Sequence, residues 1–217
     1  MIVTIDGPAG AGKSTLARAL ARRLGFRFLD TGAMYRAVAL AGLRRGVDWE
    51  QPDWLALVAR DVELRVRGER ILLDGEDVTE AIRTSDVTAV TRYAADNPRV
   101  REPLVRLQRR FAHGSDVVTE GRDQGTVVFP NAECKIFLTA SPEERARRRL
   151  KDLELQGELA TFEEVLAAQQ RRDREDAERP VGPLAAAPDA IQVRTDGMSF
   201  EEVVDTLEEI VRRRWRP

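Results

Sequence analysis

Directly behind the first apolar run, Ile2-Val3-Thr4-Ile5, stands Asp6-Gly7-Pro8-Ala9-Gly10-Ala11-Gly12-Lys13-Ser14-Thr15. From Gly7 this reads as glycine, four residues, glycine, lysine and serine, the Walker A pattern, and it constrains the chain to a strand, a tight loop and a helix in that order. Glycines let the loop curl so that successive backbone N–H groups face one centre. The helix expected over Lys13 to Leu24 points the positive end of its dipole at the same place. Such a cradle, Gly7 through Thr15, fits the phosphates of a nucleoside triphosphate, with Lys13 bridging the β- and γ-phosphates and the Ser14 hydroxyl offered to magnesium. An accidental match in a chain this long is on the order of one in a hundred, and the strand before it makes it rarer.

Further β-type runs lie at Phe26 to Leu29, Val117 to Thr119, Lys135 to Leu138 and Ala190 to Val193, with helical patterns between them. That alternation predicts an α/β fold, a parallel five-stranded sheet covered by helices on both faces. Three helix starts are marked by a hydroxyl followed three residues later by glutamate: Ser141 with Glu144, Thr161 with Glu164, and Ser199 with Glu202. The last helix, Phe200 to about Arg214, carries Val203, Val204, Leu207, Ile210 and Val211 on one side. Asp61 to Asp77 breaks the pattern. There Val62-Glu63-Leu64-Arg65-Val66, a turn near Gly68, Ile71-Leu72-Leu73 and an Asp74-Gly75 turn predict a small antiparallel meander. Helices follow over about Ser85 to Ala95 and, behind Asn97-Pro98, about Arg99 to Ala112.

Several function classes are excluded by what is scarce. His113 is the only histidine, which excludes a metal cluster built from several histidines. Cys134 is the only cysteine, which rules out an internal disulfide and fits a reducing compartment; its place before an apolar run predicts a half-buried strand residue. The first residues enter a strand at once, with no long apolar segment, so a cytoplasmic protein without a membrane span is expected. The lysines are Lys13, Lys135 and Lys151 alone, and all other cationic side chains are arginine. Arginine forks suit phosphate. Codon usage would produce the same overall bias, so only the placement of individual arginines argues for function.

That placement is informative at three points. Leu29-Asp30-Thr31-Gly32-Ala33-Met34-Tyr35-Arg36 sets Thr31, Tyr35 and Arg36 at the start of a helix after the second strand, where ligands of parallel sheets gather. Val117 to Thr119 ends in Glu120-Gly121-Arg122-Asp123, a carboxylate suited to magnesium waters followed by a basic and an acidic side chain. Arg145, Arg148 and Arg149 share one helix face, and Arg172, Asp176 and Arg179 another. Spacing alone would make both faces ordinary wet surface. A phosphate loop in the same chain changes that balance, because a phosphoryl group in transfer needs several fixed cations around it. A hydroxyl acceptor needs a carboxylate to take or orient its proton, whereas a phosphate acceptor is already an anion and needs no base.

These residues resemble those of bacterial-type cytidylate kinases, members of the nucleoside monophosphate kinase group, over nearly the whole chain. The resemblance rests on Ile5-Asp6-Gly7-Pro8 with its GKST loop, Leu29 to Arg36, Asp74-Gly75-Glu76-Asp77-Val78, Ile82-Arg83-Thr84, Pro98 to Glu102, Glu120 to Pro130, and Arg172-Asp173 through Asp176 to Arg179. It implies one P-loop kinase domain over 1–217, with an inserted monophosphate-binding subdomain over 61–96 and a short lid over 145–162. It implies transfer of the γ-phosphoryl of MgATP to CMP or dCMP. Arg36, Arg122 and Arg179 would clamp the acceptor phosphate, Arg172 and Asp176 reach the ribose, and Arg101 and Asp123 read the base, with Thr31 and Tyr35 beside them. Lys13, Arg122, Arg145 and Arg149 would stabilise the transfer, and Ser14 and Glu120 would hold magnesium. Where the family often has a serine on the base, this chain has Arg92. A monomer is implied, without nucleic acid or membrane partners. The rival readings are another small-molecule P-loop kinase, for a different monophosphate or a metabolite, and a nucleic-acid-binding P-loop protein that lays its arginine faces on a phosphate backbone.

Overall fold

The computed structural model describes residues 1–155 and 157–215, so Gln156, within the expected lid, and positions 216–217 lie outside the described residues. Five strands, β1 (Ile2–Asp6), β2 (Arg27–Asp30), β6 (Val117–Gly121), β7 (Cys134–Thr139) and β8 (Ile191–Arg194), form one sheet in the order β2-β6-β1-β7-β8. A second sheet is the meander β3 (Leu64–Arg67), β4 (Arg70–Leu73) and β5 (Glu76–Asp77). Both sheets are those expected from the sequence. The chain divides into two compact units, one of residues 1–26 and 117–217, the other of 27–116.

In the first unit β1 is central, pairing in parallel with β6 (Ile5 opposite Glu120) and with β7 (Ile5 opposite Ile136). Its neighbours on both sides explain why Val3 and Ile5 are fully buried. Helix α1 (Lys13–Leu24) begins and ends where the sequence places it, its last turn closed by Gly25 at φ 70. Helix α8 (Phe200–Arg214) buries Val203, Val204, Leu207 and Val211 and packs against α1. Helices α6 (Pro142–Leu155) and α7 (Phe162–Glu178) pack as a hairpin on Ala146, Leu153 and Val165. The starts of α7 and α8 are full reciprocal capping boxes. The start of α6 is one-sided: Glu144 N–H donates to Ser141 Oγ, but Ser141 N–H donates to Asp196 and the Glu144 carboxylate accepts from Arg148. Cys134 is fully buried rather than half-buried, because β7 has a strand on each side; burial pushes its thiol up to about 11.

The second unit is built around α2 (Thr31–Arg44), which packs on α3 (Pro52–Asp61), α4 (Ser85–Asp96) and α5 (Pro98–Ala112) and on strand β4. Asp30 caps α2 by accepting from Ala33 N–H at 2.9 Å. The turn from β4 to β5 has positive φ at both Asp74 (51) and Gly75 (85), the primed geometry that matches the twist of a tight hairpin. Pro103 sits inside α5 without ending it. Its missing N–H deprives only the carbonyl of Arg99, in the exposed first turn. Among the described residues no helix is long and apolar enough to cross a membrane.

Candidate functional site

The loop between β1 and α1 has the form its glycines require. A side chain at Gly7 would start 2.0 Å from the carbonyl oxygen of Leu138, a backbone atom that cannot move aside. Gly12 caps α1 in the left-handed region at φ 81. The first turn of α1 holds no acidic residue, so its free N–H groups and dipole remain available to an anion. Lys13 is buried and donates to the carbonyl of Pro8 at 2.7 Å, folding its ammonium back over the loop. Burial, then the neighbouring Arg122 guanidinium, pushes the Lys13 pKa down; Glu120, Asp6 and Asp176 oppose them.

The exit of β6 brings the next group to the same sheet edge. Ser14 Oγ donates to Glu120 Oε1 at 2.9 Å, joining the two oxygen ligands expected for magnesium. Hydroxyl and carboxylate are hard donors that suit Mg²⁺, which completes its shell with water and phosphate oxygens. Among the described residues no group of three or more His, Cys, Asp and Glu could hold a metal ion.

Two residues further, Arg122 Nε donates to Asp176 Oδ2 at 2.7 Å. Burial works to raise the Asp176 pKa, yet Arg122, with Arg179 and Arg172 beyond it, brings it below the usual carboxylate range. These four residues of the expected acceptor set are therefore electrostatic neighbours. Arg179 is buried at the C-cap of α7, while Arg172 is exposed on the helix. Asp123 is buried, and its carbonyl accepts from Val127 and Val128 N–H in a π-helical turn over Gln124–Val128.

The arginine face of α6 does not stay together. Arg145 is buried against the phosphate loop and donates to Ala9 O at 2.9 Å, to Ala140 O and, as a fork, to both oxygens of Asp173. Arg148 turns to the end of β8, donating to the hydroxyl and carbonyl oxygens of Thr195. Arg149 is exposed. The divergence follows from the cap at Ser141: Asp196 fixes the turn after β8 to the start of α6, and Arg148 closes over that turn.

Within the second unit, Thr31 and Tyr35 are buried near the start of α2 and Arg36 is partly exposed. The structure brings Tyr35 and Arg101 together, the guanidinium 5.5 Å from the ring centroid, and Arg101 also donates to Ala95 O at 3.2 Å. Arg92 lies over its own neighbour, 4.9 Å from the Tyr93 ring centroid, and lines a cavity of about 410 Å³ with Trp49, Leu55, Tyr93 and Pro98. None of the catalytic, metal or substrate residues expected from the sequence lines that cavity.

Two residues essential to this geometry carried no role in the sequence reading. Asp6 ends β1 and accepts from Gln124 N–H at 2.8 Å and Gly125 N–H at 2.7 Å, fixing the loop that bears Arg122 and Asp123. Burial pushes its carboxyl up to about 6 despite those bonds. A side chain at Gly125 would start 2.9 Å from Thr4 Oγ1, so the Thr4 hydroxyl would have to shift to admit one. An acidic residue closing a buried strand was the available signal. Asp173 is the other, and nothing in its sequence neighbourhood marks Arg145 as its partner.

Residues 3–213 match the model of the cytidylate kinase family. A cytidylate kinase of Rhodopirellula baltica is 57% identical over 98% of this chain and 93% of the relative. One of Geobacter sulfurreducens is 48% identical over 100% and 94%. A solved structure of an uncharacterized protein from Eubacterium ventriosum, only 12% identical, superposes with a TM-score of 0.51 over 99% of both chains, a likeness of fold alone.

Proposed function

The chain belongs to the cytidylate kinase family, and from that premise we propose that it moves the γ-phosphoryl group of MgATP onto CMP or dCMP, giving ADP and CDP or dCDP. The observation that carries this reading is the phosphate loop with Lys13 buried over it at Pro8 O, Ser14 joined to Glu120 at the end of β6, and the Arg122–Asp176 pair two residues on. An acceptor that is itself a phosphate needs this arrangement, because the obstacle is repulsion between two polyanions and not removal of a proton.

On this reading the backbone of Gly7 to Thr15 holds the triphosphate, and Lys13 leaves Pro8 O to bridge the β- and γ-phosphates. Ser14 and, through water, Glu120 would hold magnesium, which would supply positive charge to the phosphate oxygens. Arg36, Arg122 and Arg179 hold the acceptor phosphate, so that its oxygen forms the new bond to phosphorus as the bond to the ADP oxygen breaks. Arg122, Arg145 and Arg149 spread positive charge over the group in transfer. Arg172 and Asp176 take the ribose, with Thr31 and Tyr35 lining the acceptor side. Asp123 accepts from the cytosine amino group, and Arg101 donates to the ring acceptors. Uracil offers an acceptor where Asp123 needs a donor. The mismatch costs about 1 to 3 kcal/mol, roughly tenfold to hundredfold in preference. Residues 61–96 act as the monophosphate-binding subdomain and 145–162 as the lid, which excludes water from the γ-phosphoryl. The family resemblance supports a cytoplasmic monomer.

Coupled ADP release measured with CMP, dCMP, UMP, AMP and dTMP tests the acceptor. Turnover concentrated on the two cytosine nucleotides is expected. A clear preference for AMP or dTMP ends the cytosine reading.

A further inference from the structure

Helix α7 carries two carboxylates three residues apart, and each holds an arginine: Asp176 holds Arg122, and Asp173 holds Arg145. The function proposed above employs Asp176 and leaves Asp173 without a task. We propose that Asp173 is a positioning residue of the donor-nucleotide site, acting through Arg145 to fix the phosphate loop at the Ala9–Gly10 peptide.

The Arg145 guanidinium joins three elements. It grows from α6, donates to Ala9 O in the loop at 2.9 Å, and forks onto Asp173 of α7 at 2.7 and 3.2 Å. A fork between two planar groups sets the orientation of the guanidinium as well as its position. With that plane set, Nη1 keeps a bond for Ala9 O while Nε meets Ala140 O at 3.1 Å. Four of its five N–H directions are accounted for by these bonds, one of them to the loop, and the guanidinium is held in place from three sides.

Holding the Ala9 carbonyl has a direct consequence for the ligand. A trans peptide is planar, with its C=O and the following N–H pointing in opposite directions. Drawing the Ala9 carbonyl toward Arg145 therefore aims the Gly10 N–H away from α6, as an anion-cradling loop needs. The wall is close at this point: a side chain at Gly10 would start 3.3 Å from Arg145 Cβ and 3.2 Å from Gln169 Oε1. A guanidinium only 4% exposed keeps such a place only with a counter-charge, and Asp173 supplies it.

The test uses the full chain and two measurements: the affinity of a non-hydrolysable ATP analogue with magnesium, without acceptor, and the KM values for ATP and CMP. Asp173→Asn is expected to weaken the analogue and raise KM for ATP about tenfold, leaving KM for CMP within about twofold. In an Arg145→Ala background the same substitution should add nothing, and Asp173→Glu should recover most of the loss. An equal loss for both substrates, a full effect of Asp173→Asn without Arg145, or unchanged ATP-analogue affinity in a folded variant overturns the inference. Should Asp173→Asn fail to fold, Asp173→Ser must shift ATP and not CMP. The inference rests on the donor half of the proposed function, and the binding step needs no acceptor. A wild-type protein that binds the analogue and ignores CMP would sink the acceptor reading while leaving Asp173 under test.

Discussion

Two arginine–carboxylate forks in this molecule have almost the same geometry and different surroundings. Arg44 meets both oxygens of Glu76 at 2.7 and 2.8 Å, in the second unit, with side chains 42% and 57% exposed. Arg145 meets both oxygens of Asp173 beside the phosphate loop, with exposures of 4% and 23%. Water screens the first pair and competes for its partners, so the bond adds little. Around the second pair little water is left, and removing one partner strands a buried charge. Bond length alone would favour the exposed fork, at 2.7 and 2.8 Å against 2.7 and 3.2 Å; burial makes the pair beside the phosphate loop the one that matters more.

Lys13→Ala tests the buried side of this contrast most severely, because the substitution removes the cation at the centre of the cluster. Turnover of CMP should fall about a thousandfold, and a loss below tenfold in a steady-state assay would break the claim that burial concentrates function here. Asp173→Ala should lower unfolding stability by about 3 kcal/mol in urea titrations, since Arg145 is left without a counter-charge. An equal and small change for Asp173→Ala and Glu76→Ala would erase the distinction between the forks.

Asp6 sharpens the comparison through pH. Its carboxyl is raised from 3.8 to about 6 by burial, so the folded state binds the proton more tightly than the unfolded chain. Below pH 4 both states are protonated and the penalty for burying the charge is absent; above pH 6 it is fully present. Relative to Asp6→Asn, the wild type should therefore gain on the order of 2 kcal/mol between pH 7 and pH 4. A gap that stays constant over that range in unfolding titrations would show that Asp6 is not buried as a charge. Asp123→Asn is expected to reduce the preference for CMP over UMP about tenfold, read as a ratio of kcat/KM values. At the small end, Glu76→Gln should leave the melting temperature and turnover within experimental scatter, and a marked fall in either would mean that the meander fork matters as much as the buried one.

What sequence could determine was whatever depends on local spacing. The five strand runs, the start of α1 at Lys13 and its end at Leu24, and the meander with its Asp74-Gly75 turn all follow from periodicity, glycine and capping chemistry. The Ser14–Glu120 meeting does not: the two are 106 positions apart and come together because β1 and β6 are neighbours in the sheet. Tertiary structure alone decided how each charge would be spent. Arg145 and Arg148 sit three residues apart on one helix face, yet one enters the phosphate loop and the other closes over Thr195. Asp6 and Gly125 meet across 119 positions, Arg145 and Asp173 across 28. The reason is physical: helix and turn signals act over a few residues, whereas the value of a charge is fixed by its burial and by the partner that burial supplies, and both come from segments the local sequence does not encode.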